Sequence, residues 1–486
     1  MSAGSTLALL AAKCAPRVFD LSSDLRNVSI RDQVVRAQLL VRELLQEPEC
    51  RRVLIVGAGV AGVAAGAALA DTGCETLLVE RNAKPLSLQR ACTWRYVGPF
   101  MYEWPSSFFG DQSYPPTGTD WPHAPAATPT WTSAVPLTAS AFASQMLTWL
   151  QGLVRPPAVL TGIDPAEVTR YVQAFVQHWR AQHAAPAPFM QRPNLPLLGL
   201  YGDIWLGKLK SVYFDADYVI LAGGMGHEGV ELTDPVLKKG LGVSGPGFWT
   251  EPDALQAAST ADEATGVFGG GDGALQDVLR ALTPFDHPLQ MWQALRQHHA
   301  GLQTKLDAEL PTLSALEQQH RLVAAWHPTQ DSARSITIDA ACQRMAGRLA
   351  GDTLVQQAIE SCLRRGSGRV DHFVMERHFG KAYLLNRFLV HLIAECVARG
   401  AITPACMAYR RHLGGHAVAA REPGSRRRFE IKVQHPHGVL DHHFDHLAVR
   451  FGPKGAPARQ LVTLSKDDQA WRTSLSGLQL PFVVPD

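Results

Sequence analysis

The chain has 486 residues, a length that allows about two or three domains and a large hydrophobic core. It is 46% hydrophobic and 19% charged, which is the composition of a soluble globular protein. The formal net charge of +2 excludes a strong electrostatic attraction to nucleic acid or to anionic membranes, so neither is predicted as a partner.

The cysteines indicate a reducing compartment. None of the eight is spaced as C-x-x-C, and they form no regular disulfide pattern. The apolar run at 7–12 has no basic residue before it and is a poor signal peptide. We therefore expect free thiols, a cytoplasmic location and no redox dithiol of the disulfide-reductase kind.

Residues 1–50 are predicted to be an N-terminal extension with an amphipathic helix at 31–47. The next segment, 51–81, contains an uncharged stretch at 53–70 whose length is near the minimum for a membrane-spanning helix. Its composition favours shorter elements: the strand "RRVLIV", a glycine turn, a helix of small residues and the strand "ETLLVE". Four glycines within 57–66 argue against a membrane span.

The glycines of "GAGVAG" have G-x-G-x-x-G spacing. Gly57 permits a tight strand-to-helix turn, Gly59 lets a pyrophosphate approach the backbone, and Gly62 lets the helix and the strand pack closely. The start of the helix offers free N–H groups and a positive dipole end to phosphates. Glu80 ends the second strand, where its carboxylate can accept hydrogen bonds from ribose hydroxyls.

This unit resembles the FAD-binding β-α-β unit of flavoproteins with two dinucleotide-binding domains. That superfamily includes flavin-containing monooxygenases, amine N-hydroxylases and pyridine-nucleotide reductases, and the "LLVER" ending is more typical of its FAD sites than of NAD sites. The predicted FAD-binding domain spans 51–245. The resemblance implies an FAD site that includes Gly57, Gly59, Val60, Ala61, Gly62, Glu80 and Arg81.

Residues 82–140 are rich in proline, serine, threonine and aromatic residues. They are too aromatic for a disordered linker, so a long ordered loop is predicted. In the resembling flavoproteins, the segment after the ribose-binding acid wraps the flavin. The candidates to contact the cofactor or line the substrate pocket are Arg90, Arg95, Tyr102, Glu103 and Trp104. The alternative is that these aromatic residues fill a core beneath the loop.

Helices are predicted at 138–152 and 164–183, and a strand within 214–224. The strand segment "FDADYVILAGG" resembles the D-x-V-I-x-A-T-G segment of the same superfamily, in which small residues after the strand approach the cofactor. Gly223 is therefore a cofactor-binding candidate. A buried strand that ends in a glycine turn is the alternative.

A second glycine cluster places Gly269, Gly271 and Ala274 in G-x-G-x-x-A spacing before a helix. It resembles the nicotinamide-nucleotide turn of reductases and N-hydroxylases, and it implies NADPH or NADH as a second cofactor. The letters "FGGGD" also resemble a motif in which an aspartate, here Asp272, contacts the flavin ribityl chain. No strand with a basic residue for a 2′-phosphate follows the helix directly, so the choice between NADPH and NADH stays open.

A second nucleotide or substrate lobe is predicted at 246–453, with a helical insertion at 284–400 and a C-terminal tail at 454–486. Near its end, "FDHLAVRFGP" repeats the pattern of "FDADYVILAGG": an aspartate, a short apolar strand and small residues. The repeat indicates two related nucleotide-binding lobes. Five histidines lie between 435 and 446, but neighbouring residues of a strand point to opposite faces, so no metal site is predicted there.

The predicted fold class is α/β: a Rossmann-like FAD-binding domain with a second nucleotide-binding lobe and a helical insertion. The predicted function is an FAD-dependent oxidoreductase, reduced by NADPH or NADH and monooxygenase-like on a small organic substrate. Two alternatives stay open: an FAD-dependent oxidase without NAD(P)H, and a non-catalytic dinucleotide-binding regulator. The missing monooxygenase pattern F-x-G-x-x-x-H gives weight to the regulator. The sequence assigns no catalytic acid or base and no oligomeric state.

Overall fold

The computed structural model describes residues 12–21, 30–98, 104, 136–184, 196–224, 226–321, 328–380, 382–422, 428–454 and 461. These residues form an α/β fold with two lobes, each built on its own mainly parallel sheet. Parallel strands need crossover connections, and the helices that form the crossovers cover the sheet faces.

The first lobe contains a seven-stranded sheet in the order β1-β2-β11-β3-β4-β7-β9. The elements of this part of the chain are β1 (Lys13–Ala15), β2 (Val18–Asp20), α1 (Ile30–Leu44), β3 (Arg52–Val56), α2 (Val60–Leu69), β4 (Glu75–Glu80), α3 (Ser87–Ala91), β5 (Tyr96–Val97), β6 (Leu137–Thr138), α4 (Ala139–Gln151), β7 (Ala158–Thr161), α5 (Pro165–Ala184), β8 (Leu198–Gly199), β9 (Asp203–Leu206), β10 (Tyr213–Phe214) and β11 (Tyr218–Leu221).

Side chains alternate along β3 and supply two apolar clusters, one on each face of this sheet. Val53 and Ile55 pack with residues of α1, α2 and α4, whereas Leu54 packs with residues of α5. Both faces of the central parallel strands are therefore covered, which explains why the middle residues of β3 and β4 are apolar.

The second lobe contains a four-stranded sheet in the order β17-β16-β15-β21, all parallel, and a three-stranded antiparallel sheet β18-β19-β20. The elements of this part are β12 (His227–Glu228), β13 (Glu231–Asp234), β14 (Lys239–Ser244), a 3₁₀ helix (Ala258–Asp262), β15 (Ala264–Phe268), α6 (Asp272–Leu282), α7 (Pro288–His298), α8 (Ala300–Arg321), α9 (Pro328–Leu349), α10 (Thr353–Cys362), β16 (Arg369–Val374), α11 (Leu384–Ala398), β17 (Ala408–Leu413), β18 (His416–Arg421), β19 (Phe429–His435), β20 (Gly438–Phe444), β21 (His446–Val449) and β22 (Pro453–Lys454).

The predicted helices and strands of the first lobe are confirmed, with ends shifted by a few residues. The uncharged stretch 53–70 is divided between β3, a glycine turn and α2. In the part of the chain that the structure describes, no helix has the length and apolar character needed to cross a membrane.

Three features differ from the predicted domain boundaries. Residues 13–20, predicted as part of an extension, form two strands of the first sheet. The hairpin 231–244, predicted in the FAD-binding domain, packs on β18 of the second lobe. The segment 284–400, predicted as a helical insertion, also contains β16, a central strand of the second sheet. Strand pairing between distant segments decided the first and third cases, and packing between distant segments decided the second.

Candidate functional site

The turn between β3 and α2 can only be formed by small residues. Gly57 has φ +105, and a Cβ there would lie 2.5 Å from the carbonyl oxygen of Ala222. A Cβ on Gly62 would lie 1.9 Å from the carbonyl oxygen of Gly57. The end of β11 and the first turn of α2 therefore press against this turn from two sides.

Gly59 is different, because a Cβ there would meet no atom within 4 Å. Its backbone, with φ −77 and ψ −170, is open to any residue, so the fold itself does not require glycine. Val60 and Ala61 follow as the half-buried first residues of α2, whose N-terminal N–H groups favour an anion. The open space beside Gly59 fits the pyrophosphate of a dinucleotide such as FAD.

Glu80 is buried at the end of β4 and lies against this turn. Its Oε2 accepts a hydrogen bond from the N–H of Ala58 at 2.9 Å. Its Oε1 accepts hydrogen bonds from the backbone N–H and the side-chain amide of Asn82, at 2.9 and 2.7 Å. A carboxylate offers about four acceptor positions, so these three bonds orient Glu80 and leave capacity for a ribose hydroxyl.

The other predicted cofactor residues of the first lobe lie around the same turn. Gly223 is exposed, and its nitrogen lies 3.2 Å from the position of a Cβ on Gly57. Arg81 is exposed directly after β4, and Arg90 is half-buried in the last turn of α3. The roles of these three residues in binding stay predictions.

Arg95 does not line an open pocket. Its side chain is fully buried and forms ion pairs with Asp253, at 2.7 Å, and with Asp277 of α6. Arg450 donates from Nε to Asp277 at 2.7 Å, and Arg280 pairs with Asp253 at 2.9 Å. Burial alone would raise the pKa of Asp277, but the surrounding guanidinium groups hold it well below its usual range. No local sequence pattern indicated this network, which joins the segment after α3 to the second lobe.

Trp104 is also buried, and its ring packs edge-on against Trp292 of α7 with centroids 5.3 Å apart. It belongs to the apolar core of the second-lobe helices. This contact favours the alternative in which aromatic residues of the loop fill a core. Tyr102 and Glu103, the other two pocket candidates, lie outside the described residues.

The two glycine turns make the same backbone hydrogen bonds. Gly57 donates to Val79 at 2.8 Å, and Gly269 donates to the corresponding Phe373 at 3.0 Å. Gly269 has φ +138, and Gly271 precedes α6 with φ −94 and ψ −178, close to the values at Gly59. Ala274 takes the place of Gly62.

The strand repeat noted in the sequence occupies equivalent positions. β11 and β21 are the parallel neighbours of β3 and β15, the strands that lead into the two turns. Asp217 accepts a hydrogen bond from the N–H of Arg52 at 2.9 Å, and Asp445 accepts one from the N–H of Ala264 at 2.8 Å. The prediction of two related lobes is confirmed.

The strand that the sequence does not show directly after α6 is β16, which follows four further helices. β16 pairs with β15 as β4 pairs with β3, and the loops after β4 and β16 return to their turns through equivalent hydrogen bonds, Leu86 to Ala58 and Gly380 to Gly270, both at 2.9 Å. By this register, Val374 takes the position of Glu80. Three residues later, the exposed Arg377 lies in the returning loop.

Asp272 begins α6 and is directed at α11. Its carboxylate accepts hydrogen bonds from the N–H of Tyr383 at 3.0 Å and from the side chains of Asn386 and Gln276, at 2.6 and 3.0 Å. Burial raises its pKa to about 7, against the effect of these donors. The suggested contact of Asp272 with a flavin ribityl chain stays a prediction.

His372 contacts the backbone of the second glycine turn. It is fully buried on β16, its Nε2 lies 2.8 Å from the carbonyl oxygen of Gly269, and its Nδ1 lies 3.1 Å from the Tyr409 hydroxyl. The neutral ring can donate from Nε2 to Gly269 and accept from Tyr409 at Nδ1. Burial lowers the pKa of His372 to about 4.

This depressed pKa predicts a loss of stability in acid. The unfolded chain binds a proton near pH 6.5, and the folded chain does so only near the pKa of about 4, so the free energy of unfolding falls as the pH falls through that window. The contribution is about 2 kcal/mol between pH 6.5 and 5. Asp272, whose pKa is raised, acts in the opposite direction between pH 4 and about 7.

The comparison of the wild type with His372→Gln isolates this contribution, because glutamine can donate to Gly269 and does not titrate. Urea unfolding at pH 7 and at pH 5 should show a smaller pH-dependent loss in the variant. Equal losses in the two proteins would contradict the assignment to His372.

The histidines between 435 and 446 do not converge on one point. Nε2 of His442 lies 3.1 Å from Nε2 of His435, whereas His446 pairs with Glu263 at 2.6 Å. Across the described residues, no three histidine, cysteine, aspartate or glutamate side chains form a group that could hold a metal ion.

The comparisons with known proteins agree with the geometry of the first turn. A family model described as an FAD binding domain matches residues 51–96. No curated protein sequence matches the chain.

Several solved structures show a distant likeness. One is the thioredoxin reductase of Lactococcus lactis, at 12% identity and a TM-score of 0.34, with 83% of this chain and 77% of that chain covered. An ornithine N-hydroxylase from Kutzneria, solved with FAD, NADP⁺ and L-ornithine, has 11% identity and a TM-score of 0.33, with 82% and 80% covered. FprA of Mycobacterium tuberculosis in complex with NADPH has 10% identity and a TM-score of 0.33, with 84% and 72% covered. At such low TM-scores, no residue role is transferred from these structures.

The family match falls on the strand, turn, helix and acid whose geometry fits a dinucleotide. The second lobe repeats the backbone hydrogen bonds of that strand, turn and helix, with Val374 in place of the acid. On this evidence residues 51–96 are similar to the FAD binding domain family, and the chain carries two lobes with equivalent glycine turns.

Proposed function

We propose that this protein is an FAD-dependent oxidoreductase that is reduced by NADPH and acts, in the manner of a monooxygenase, on a small organic substrate. The observation that carries the proposal is the pair of equivalent turns, one followed by a ribose-binding acid and one without it. The lobe with the acid would bind a dinucleotide with an unmodified ribose, and the lobe without it would accept one with a 2′-phosphate.

In the first lobe, this chain's residues bind and orient FAD. The N-terminus of α2 and the open space beside Gly59 would accept the pyrophosphate, and Glu80 would accept ribose hydroxyls. When bound, FAD supplies the hydride acceptance and the oxygen chemistry. The roles of Arg81, Arg90 and Gly223 belong to the same proposal.

In the second lobe, the register favours NADPH over NADH. A carboxylate at the end of the second strand suits an unmodified ribose, but it would repel a 2′-phosphate. Val374 occupies that position, and Arg377 follows in an exposed loop where its guanidinium could pair with a phosphate. The N-terminus of α6 beside Gly271 would hold the pyrophosphate.

The cysteines favour oxygen or an organic substrate, rather than a disulfide, as the electron acceptor. Cys92, the first cysteine that follows Glu80 in the chain, is fully buried, and burial raises its pKa, so it is a poor nucleophile. Cys50 and Cys74 lie at the opposite ends of β3 and β4 from the glycine turn, and five strand residues span about 17 Å. A cytoplasmic location accords with eight free thiols.

The first test is the absorbance of the purified full chain. We expect a yellow protein with flavin bands and about one FAD per chain, because the first turn fits the cofactor. Free FAD is added during purification and then removed by gel filtration, so that loss during isolation is controlled. Protein that stays colourless after this treatment would contradict the proposal.

A further inference from the structure

Two of the eight cysteines differ from the others in exposure. Cys50 and Cys74 are half-buried, whereas the remaining six are buried. Burial raises the pKa of Cys362 to about 11 and that of Cys396 to about 12, which makes these thiols inert at neutral pH. Any thiol reagent in water therefore meets Cys50 and Cys74 first.

The fold brings these two cysteines together although 24 positions separate them. Cys50 lies just before β3, and Cys74 lies just before β4, its parallel neighbour. Glu75 donates a backbone hydrogen bond to Arg51 at 2.7 Å, which places the two preceding segments side by side. Both side chains pack against the same apolar cluster of the first lobe, and each thiol perturbs the pKa of the other.

The pKa values of the two thiols are shifted in opposite directions. The neighbouring Cys50 thiol lowers the pKa of Cys74, against the opposing effects of burial and of the Asp217 and Glu75 carboxylates. The pKa of Cys50 is raised, first by its interaction with Cys74 and then by burial. Cys74 is therefore the nucleophile of the pair, and Cys50 is placed to attack it in turn.

In the second lobe, the equivalent segments before β15 and β16 are joined by side-chain hydrogen bonds. There Asp262, which precedes β15, accepts hydrogen bonds from the backbone N–H and the hydroxyl of Ser367, at 2.8 and 3.0 Å. Ser367 precedes β16. In both lobes, the segments before the first two strands thus lie side by side, but only the first lobe places groups that can be oxidised there.

We propose that Cys50 and Cys74 are a redox modification site that a hydroperoxide converts into an intramolecular disulfide. The Cys74 thiolate attacks one peroxide oxygen, the O–O bond breaks, and the leaving hydroxide takes up a proton to become water (for hydrogen peroxide). Cys50 then loses its proton and attacks the Cys74 sulfur, so that an S–S bond forms, the S–O bond breaks and a second water leaves. The two sulfurs lose two electrons and the peroxide gains them.

The site is separate from the electron path of the proposed enzyme, because it lies at the other end of β3 from the glycine turn. The disulfide would close a loop around β3 and α2, the elements that form that turn. Such a closure restricts the unfolded chain and raises the thermal midpoint.

The experiment treats the full chain with hydrogen peroxide, followed by intact mass measurement and a tryptic map without reductant. We expect the loss of two hydrogens per chain, a cross-link between peptide 43–51 and peptide 53–81, and reversal by dithiothreitol. The thermal midpoint should rise on oxidation and return on reduction.

Substitution of each cysteine tests which sulfur attacks the peroxide and which sulfur then forms the disulfide. Cys50→Ser should stop at a Cys74 sulfenic acid that dimedone traps, whereas Cys74→Ser should lose both the cross-link and the trapped product. Cys362→Ser, which removes a buried thiol, should behave as the wild type. The proposal is overturned if wild-type protein keeps all its thiols, if the cross-link involves another cysteine, or if Cys50 and Cys74 are recovered only as separate sulfinic or sulfonic acids. The wild-type map gives this answer even if a variant fails to fold.

Discussion

Gly59→Val should abolish FAD binding while the chain stays folded. The backbone at Gly59 is extended and a Cβ there meets no atom, so the substitution is sterically tolerated in the absence of cofactor. The branched side chain would occupy the space in which the pyrophosphate approaches the N-terminus of α2. We expect FAD affinity to fall at least about 100-fold, equivalent to ~2.7 kcal/mol. Flavin content and the thermal midpoint of the cofactor-free protein measure the two effects.

Two further variants serve as controls. Gly271→Val makes the same change at the equivalent N-cap of the second lobe, where the backbone conformation is nearly the same. It carries the same small cost of replacing an N-cap glycine and should leave FAD content unchanged. Gly62→Ala should destabilise the fold itself, because its Cβ would lie 1.9 Å from the Gly57 carbonyl oxygen. Normal flavin content in Gly59→Val would mean that the phosphates bind elsewhere, and loss of FAD in Gly271→Val would assign the "FGGGD" turn to the flavin.

The second large effect is expected on reduction by the nicotinamide cofactor. Under anaerobic conditions, NADPH should bleach the flavin absorbance of the wild type much faster than NADH at equal concentration. Gly271→Val should retain FAD and lose the bleaching with both, because the side chain would block the pyrophosphate beside α6. Stopped-flow absorbance near the flavin maximum records the rates.

Arg377→Glu tests the choice between the two nicotinamides. Reversing the charge next to the 2′-phosphate should weaken NADPH about 30-fold, or ~2 kcal/mol, and leave NADH nearly unaffected. Arg410→Glu, a change at an exposed arginine on β17, is the matched control and should alter neither. A similar loss with both nicotinamides in Arg377→Glu would contradict the assigned role.

Failure of reduction decides between the alternative functions. Bleaching by an amine or an amino acid, but by neither nicotinamide, would identify an oxidase. A flavin that no donor bleaches would identify a dinucleotide-binding regulator. Either outcome would overturn the proposed NADPH-dependent reaction and leave the FAD site intact.

The sequence by itself determined the elements whose specification is local. The β-branched run, the three glycines and Glu80 identify their elements, because backbone sterics and side-chain periodicity are local properties of the chain. Strand, turn, helix and strand could therefore all be predicted. The strand repeat at Asp217 and Asp445 was also visible, because each copy is a short contiguous pattern. These features were sufficient to indicate two nucleotide-binding lobes, and the resemblance of the first to flavoproteins implied FAD.

Only the tertiary structure decided which distant residues meet. Arg95 and Asp277 pair across 182 positions, and Cys50 and Cys74 come together only because β3 and β4 are parallel neighbours. Val374 could not be matched with Glu80 from the sequence, since residues 283–368, with four helices, separate α6 from β16. Such pairings depend on which strands share a sheet and which surfaces pack together. No local periodicity encodes them, because the free energy that selects them arises from burial and hydrogen bonding across the whole fold.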